Sequence, residues 1–230
     1  MKKKFIILFL TSIIIIVTLS NQKIFKLYFL HKFSKWVEKE VLLEDFQFIY
    51  PNTILIKNLE IKNSNTFYYD LIFKSEKISI NLDFKSFLVG DLRIITNLII
   101  EKPRFYLEVT QKKLNSKDQT GNKTQIIFED NIGIAKKISQ DLPDKIWPTK
   151  EKDINFIILK SKISDGIAYV KISSIKDESV IKLSNFEFTK IGNQKGYQHY
   201  KDVLKIMLFD VFGRETDIKK KRILKKIYKF

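Results

Sequence analysis

Side chains that commonly carry out enzyme chemistry are scarce in this chain. The two histidines, His31 and His199, are expected at polar surface, and the absence of cysteine excludes thiolate nucleophiles, thiolate metal sites and disulfides. No pair of carboxylates has a spacing that suggests acid and base roles. Gly192 and Gly196 have neither the spacing nor the context of a phosphate loop. The sequence therefore predicts no catalytic residue, no metal site and no cofactor, and we expect a protein without enzymatic activity.

What the chain offers instead is apolar surface and positive charge. Hydrophobic residues make up 44% of the 230 residues, enough for one large or two small domains with a real core. The formal net charge of +16 has three interpretations. The charge serves nucleic-acid binding, it attracts the chain to anionic lipid headgroups, or it reflects a lysine-rich composition that favours solubility.

An uninterrupted apolar run at residues 5–19 directly follows Lys2, Lys3 and Lys4. A basic start before such a run is typical of an export signal or a signal anchor, with the lysines on the cytoplasmic side. The run gives about 22 Å of helix, short of a hydrocarbon core of about 30 Å, which favours a cleaved signal. No good cleavage site follows, and residues 21–30 could lengthen the helix, so we expect a retained anchor. Export makes nucleic acid the least favoured partner.

Apolar residues then recur at helical steps. They are Phe25, Phe29, Phe33, Trp36, Val37 and Val41. Because lysines occupy the other side, the spacing predicts an amphipathic helix that leaves the membrane. Phe25, Phe29, Phe33 and Trp36 are the predicted membrane-contact residues, at headgroup level. An alternative, in which the stripe packs on the first strands, is equally open.

From Phe46 the apolar period changes from helical to two, which predicts strands. Ile56 and Leu59 fall on opposite parities, so the segment around Asn58 carries an extra residue, as a β-bulge would. Further alternating segments lie at residues 72–84, 92–100 and 105–109. About five strands in the first half are typical of an antiparallel meander.

Residues 112–124 are polar and have no apolar periodicity, which predicts a linker or long loop. A second set of strands follows, and Asp165-Gly166 within it is a type I′ hairpin signal. The predicted domains are a membrane anchor or uncleaved signal at residues 1–22, an amphipathic helix with the first β-meander at 23–110, a linker at 111–125, and a second β set with carboxyl-terminal amphipathic helices at 126–230.

A short internal similarity links the two halves. Residues 54–61 and 181–188 align without a gap, with Asn58 over Asn185, and the slip in alternation occurs in both segments. A match of eight residues can also arise by chance, so a structural repeat and a coincidence are both open.

Helical periodicity returns near the carboxyl end. The clearest amphipathic stripe consists of Tyr200, Val203, Leu204, Met207, Leu208 and Val211, and we expect it to cover the sheet. Residues 217–230 form a basic amphipathic tail. The tail suits an anionic membrane or an acidic partner, or it is a solvated helix packed by its apolar stripe.

Several strand segments taken together resemble the AsmA-like family of bacterial envelope proteins. The resemblance is carried by residues 59–61, 78–82, 87–94, 99–107, 163–166 and 181–192, after an amino-terminal anchor. It implies a mainly β, α+β fold: an amino-terminal membrane helix, then a curved, mostly antiparallel sheet with flanking amphipathic helices. It also implies an inner-membrane anchor with the bulk of the chain in the periplasm.

The resemblance further implies an apolar groove that handles phospholipid in envelope biogenesis. The predicted lipid-binding residues are Ile78, Ile80, Leu82, Ile94, Leu98, Ile158 and Val170. The expected partners are acyl chains of membrane lipids and an envelope protein. The chain is too short to span a periplasm alone, so a truncated accessory, an oligomeric segment or a local assembly factor is expected.

Two arrangements of the apolar strand faces remain open. The two halves pack face to face as a sandwich, which the residues alone favour, or part of the face stays open as a groove, which the resemblance favours. A closed sandwich agrees better with a structural interaction module that docks a membrane complex. An open groove agrees better with lipid handling.

Overall fold

The computed structural model describes residues 22–89, 91–118, 121–131, 155–193 and 196–228. Together they form a β-rich α+β structure built on one mixed sheet. The apolar run at residues 5–19, the predicted anchor, lies outside this described part. Of the helices in the described ranges, none has both the length and the apolar character needed to cross a bilayer.

Four helices and twelve strands make up the described part of the chain. The helices are α1 Gln22–Val37, α2 Phe84–Val89, α3 Tyr200–Arg214 and α4 Ile218–Tyr228. The strands are β1 Val41–Leu42, β2 Asp45–Ile49, β3 Thr53–Lys62, β4 Leu71–Leu82, β5 Leu92–Glu101, β6 Arg104–Asp118, β7 Gly121–Asp130, β8 Asn155–Ser164, β9 Ile167–Ile172, β10 Ser179–Lys182, β11 Phe186–Gly192 and β12 Gln198–His199. Most pairings are antiparallel, and β5 with β8, β6 with β9, and β11 with β12 are parallel.

Several of these strands are consecutive parts of one longer strand. The register of β5 and β8 continues unchanged into β6 and β9, from Glu101↔Ser164 to Arg104↔Ile167. The same continuity joins β1 to β2 along β3, and β10 to β11 along the β8–β9 strand. The sheet therefore has six long strands in the order β1/β2, β3, β4, β5/β6, β8/β9, β10/β11.

The pairing of all six long strands is interrupted at the same level. The residues at this level are Glu44, Asn58, Glu76, Lys102, Asp165 and Ser184, and we call this row the break line. Asn58, Lys102 and Asp165 have left-handed backbone conformations, with φ of 48°, 48° and 55°. A single left-handed residue in a strand interrupts the regular alternation of side chains.

The break line accounts for the slip in alternation that the sequence shows around Asn58. In every long strand, the inner-face residues on the two sides of the line are three positions apart instead of two. These pairs are Leu43 and Phe46, Ile56 and Leu59, Ser75 and Ile78, Ile100 and Pro103, Ile163 and Gly166, and Leu183 and Phe186. Because all strands slip together, neighbouring strands keep their register, which a bulge in one strand alone would shift.

Two consecutive residues of each long strand face outward at the break line, and many are charged. Lys77 Nζ lies 2.8 Å from Glu101 Oε1, and Lys102 Nζ lies 2.9 Å from Glu76 Oε2. The hydrogen bond between Lys102 and Glu76 raises the pKa of the amine and lowers the pKa of the carboxyl group. Since these ion pairs are exposed, they contribute little stability and mainly mark the outer face of the sheet.

The structure differs from the sequence prediction at residues 112–124, which were expected to be a linker. Here β6 and β7 form a long antiparallel ribbon, paired from Val109↔Asp130 to Asp118↔Gly121. A ribbon held by backbone hydrogen bonds needs no apolar period, so its polar sequence resembles a loop. The segments before and after the ribbon share one sheet through the pairing of β5 with β8.

The hairpin expected at Asp165-Gly166 is a break within one long strand. A type I′ turn needs positive φ at both central residues. Asp165 meets this condition, whereas Gly166 does not have a positive φ. The chain therefore continues in the same direction, and β9 pairs with β6 and β10.

Close packing at Gly166 gives a test of the break line. A β-carbon there would lie 3.0 Å from Leu183 Cδ1 and 3.3 Å from Pro103 Cγ. We expect Gly166→Val to destabilise the protein by about 1–3 kcal/mol through overpacking, measured by thermal unfolding in detergent. The control is Gly213→Ala in α3, where the added carbon meets no atom within 4 Å apart from adjacent residues and the nearby backbone of its own helix. A Gly166→Val protein as stable as this control would contradict the packing described.

Candidate functional site: an apolar trough between two helical caps

Helix α1 covers the inner face of the sheet at its amino-terminal edge. The ring of Phe29 stacks on Phe33 at 5.3 Å between centroids and lies 5.5 Å from the ring of Phe46. Lys26 Nζ donates a hydrogen bond to the carbonyl oxygen of Glu44 at 2.6 Å, which ties the helix to the break line. Helix α1 is therefore a cap over β1 to β4.

The aromatic stripe of α1 faces this sheet. Phe25, Phe29 and Phe33 all pack against the cluster that contains buried Ile56, as in the alternative interpretation of the helix. The side chain of Trp36, the fourth predicted membrane-contact residue, lies outside the described part. The opposite side of α1 is exposed at Ile24, Leu27 and Tyr28, so the helix has apolar groups on two sides.

Helices α3 and α4 cover the inner face at the other edge. They contribute buried residues to a second cluster: Val203, Met207, Val211, Phe212, Leu224, Ile227 and Tyr228. These residues pack on β6, β9, β10 and β11, where Val170 and Ile172 are fully buried. The stripe predicted for α3 is therefore the face that covers the sheet, although the side chain of Tyr200 lies outside the described part.

Buried polar contacts fix α4 in place. Lys220 is 1% exposed, and its Nζ donates to Ser179 Oγ at 2.8 Å. The Ser179 hydroxyl donates in turn to Glu215 Oε1 at 3.0 Å. At the other end of the helix, the Tyr228 hydroxyl donates to Asp130 Oδ2 at 2.8 Å. Lys220 is thus a structural residue within the tail that the sequence predicts to be basic and amphipathic.

Between the two caps, the central strand β5 is nowhere buried. Each of its ten residues is only partly covered. Both neighbours contain buried side chains, such as Ile78 in β4 and Ile163 in β8. In a closed sandwich the central strand would be the most enclosed. The inner face therefore has a strip of incomplete cover along β5.

The strip is lined by three transverse rows of inner-face residues. Leu82, Ile95 and Ile158 are paired across the strands in one row, Ile80 and Leu98 pair with Ser161 in the next, and Ile100 lies between Ile78 and Ile163. Ser161 has the smallest side chain in these rows and is buried. We define the trough by its partly covered apolar residues: Ile80, Leu82, Ile95, Leu98, Ile100 and Ile158.

The predicted lipid-binding residues fall into three locations. Ile80, Leu82, Leu98 and Ile158 are partly covered and line the trough, where Ile80 and Leu98 also pack against the α1 cluster and Ile158 against the α3–α4 cluster. Ile78 and Val170 are buried within these two clusters. Ile94 pairs with Ile157 on the opposite face of the sheet from Ile95.

The sequence pattern did not identify Ile95 and Ile100 as members of the trough. It assigned Ile94 to the inner face of β5, whereas Ile95 occupies that face. For Ile94 and Ile95 the reason is an extra residue in β5, Thr96, where the register shifts from Asn81↔Asn97 to Leu82↔Ile95. The Thr96 hydroxyl donates to the Asn81 carbonyl at 3.1 Å at this point. Two adjacent isoleucines carry no signal that tells which one faces inward.

The described residues hold no group of three or more metal-ligating side chains. Comparison of the chain with protein-family models, curated proteins and solved structures found no match. The chemistry of the trough is therefore the main guide to function, and it offers aliphatic contacts without charge.

The α1 cap can be tested with two substitutions on the same helix. Phe29→Ala removes a ring packed on the sheet, and we expect a loss of about 2–4 kcal/mol in unfolding free energy. Leu27→Ala removes an exposed side chain and should change stability by about 0.5 kcal/mol or less. Thermal unfolding in detergent measures both, and equal effects of the two variants would contradict the cap.

The Tyr228 contact with Asp130 predicts a dependence of stability on alkaline pH. Complete burial, and then the nearby carboxylate, raise the pKa of Tyr228 well above its ordinary value. A raised pKa contributes stability that is present below about pH 10, the value of the unfolded chain, and is lost as pH rises above it. Tyr228→Phe should cost about 1 kcal/mol at pH 7 and should lose less stability than the native chain above pH 10. Parallel pH profiles of melting temperature would contradict this assignment.

Proposed function

We propose that this chain is a membrane-anchored protein of the bacterial envelope, similar to the AsmA-like family, that holds phospholipid acyl chains in the trough. The proposal places the anchor in the inner membrane at residues 5–19 and the sheet in the periplasm. The observation that carries it is the incomplete cover of β5 in a sheet whose two edges are capped by helices.

The chemistry of the trough supports an aliphatic ligand. All six trough residues are leucine or isoleucine, and burying such side chains contributes about 25 cal/mol per Å² of apolar surface removed from water. Apolar surface that is left open in a folded protein commonly marks a binding site. An acyl chain needs no polar contacts along its length, so the lack of charge in the trough suits it.

The break line supports the curved sheet that the resemblance implies. Two consecutive outward residues in one strand bend that strand, as a β-bulge does. When all six long strands carry this feature at one level, we expect the whole sheet to bend there.

The test is photocrosslinking on the full-length chain in liposomes that contain labelled phospholipid. A benzophenone amino acid at Leu98 should capture phospholipid, because Leu98 faces the trough. The matched control is the same substitution at Ile99, the next residue of β5, which faces the other way. We expect at least about fivefold more lipid adduct at Leu98, about 1 kcal/mol of preference at equal reactivity.

Lipid adducts at equal levels at the two positions would contradict the trough. Adducts only to protein at Leu98 would instead support a module that docks another envelope protein.

A further inference from the structure

Exposed apolar side chains gather at one end of the sheet. This upper end contains the end of β2, the turn after it, the end of β4 and helix α2. It exposes Ile49, Tyr50, Phe84 and Val89, with Tyr50 at 87% and Val89 at 83%. Phe84 packs edge to face on Phe48 at 5.5 Å, which joins α2 to the end of β2. The Asn52 carbonyl accepts a hydrogen bond from Leu82 N–H at 2.9 Å, so the turn and the end of β4 lie together.

The amino-terminal end of α1 points towards the same upper end. Val41 N–H at the start of β1 donates to Ser34 Oγ at 3.1 Å, whereas Phe46 in β2 contacts Phe29. Moving along α1 towards its amino terminus therefore follows the direction from β1 to β2. The exposed residues Ile24, Leu27 and Tyr28 lie in the first two turns of α1, on the side away from the sheet.

The apolar run at residues 5–19 ends three residues before α1 begins. Three residues span about 10 Å when fully extended. A bilayer that holds this run must therefore lie close to the upper end. The cations near that end, Lys23 on α1 and Lys85 on α2, suit phosphate groups at its surface.

We propose that the upper end docks on the phospholipid bilayer, with Tyr50 and Val89 inserted at headgroup level beside the exposed turns of α1. Tyrosine is favoured at this level because its ring is apolar and its hydroxyl stays in water. The docking rests on the membrane anchor of the proposed function, and it explains where lipid would enter. Leu82 and Ile95 form the trough row nearest the upper end, so acyl chains reach the trough from the bilayer side.

The absence of cysteine in the chain permits a direct test on the full-length protein. Tyr50→Cys, Val89→Cys and Val180→Cys are each labelled with an environment-sensitive fluorophore and reconstituted in liposomes of phosphatidylcholine and phosphatidylglycerol. Val180 is the matched control, because it is 60% exposed but lies on β10, below the break line. Lipids with bromine on the upper acyl carbons should quench the labels at 50 and 89 at least twofold more than the label at 180.

Equal, weak quenching at all three positions would overturn the docking, as would failure of the protein to float with the liposomes. A cysteine at 50 that crosslinks to a second copy without being quenched would assign the surface to self-association and also overturn it. The crosslinking at Leu98 reports separately on the trough. Quenching at 50 and 89 without lipid adducts at Leu98 keeps the docking and rejects lipid holding, and the reverse pattern rejects only the docking.

Discussion

The fold depends on how closely the strands approach one another on the inner side of the break line. The row of inner-face residues next to the break line has Ser75, Pro103 and Gly166 at its centre, all buried and all small or compact. Pro103 has no N–H to offer the ladder, and Ser75 Oγ donates to the nearby Glu101 carbonyl at 3.0 Å. Larger side chains at these positions would push adjacent strands apart, so the small residues permit the whole sheet to break at one level.

The edge strand β10/β11 needs a different solution, because it has no neighbouring strand on its outer side at the break line. Here the side chain of Asp210 on α3 takes the place of a strand. It accepts hydrogen bonds from the Ser184 backbone N–H and the Ser184 hydroxyl, both at 2.8 Å, and from Arg214. Burial would raise the pKa of Asp210, but these hydrogen bonds outweigh it and lower the pKa. The α3–α4 cap is therefore tied to the break line as α1 is tied through Lys26.

The sequence predicted much of the architecture because alternation and helical periodicity are local signals. The β-rich fold, the capping face of α3 and the slip at Asn58 all follow from such periods. The two aligned segments, 54–61 and 181–188, both cross the break line, as all six long strands do, and Asn185 lies one position beyond the break-line residue Ser184. A structural repeat stays a prediction. What local patterns could not show is that neighbouring strands slip together, or that Asp165-Gly166 has one left-handed residue and not two. The β6–β7 ribbon was not predicted because strands that pair through their backbones need no apolar alternation, and the sequence of this ribbon is polar.

The order of elements along the chain explains why the trough lies at the centre. Helix α1 is joined to β1 by a short connection, so it covers the strands at that edge, and α3 follows β12 at the opposite edge. Each described cap is thus fixed beside the edge strand next to it in sequence. The central pair, β5 and β8, is parallel and comes from distant parts of the chain. When helices cover the inner face from its two edges, the strands in the middle lie farthest from both helices. The middle strand is β5, and its isoleucines and leucines are only partly covered.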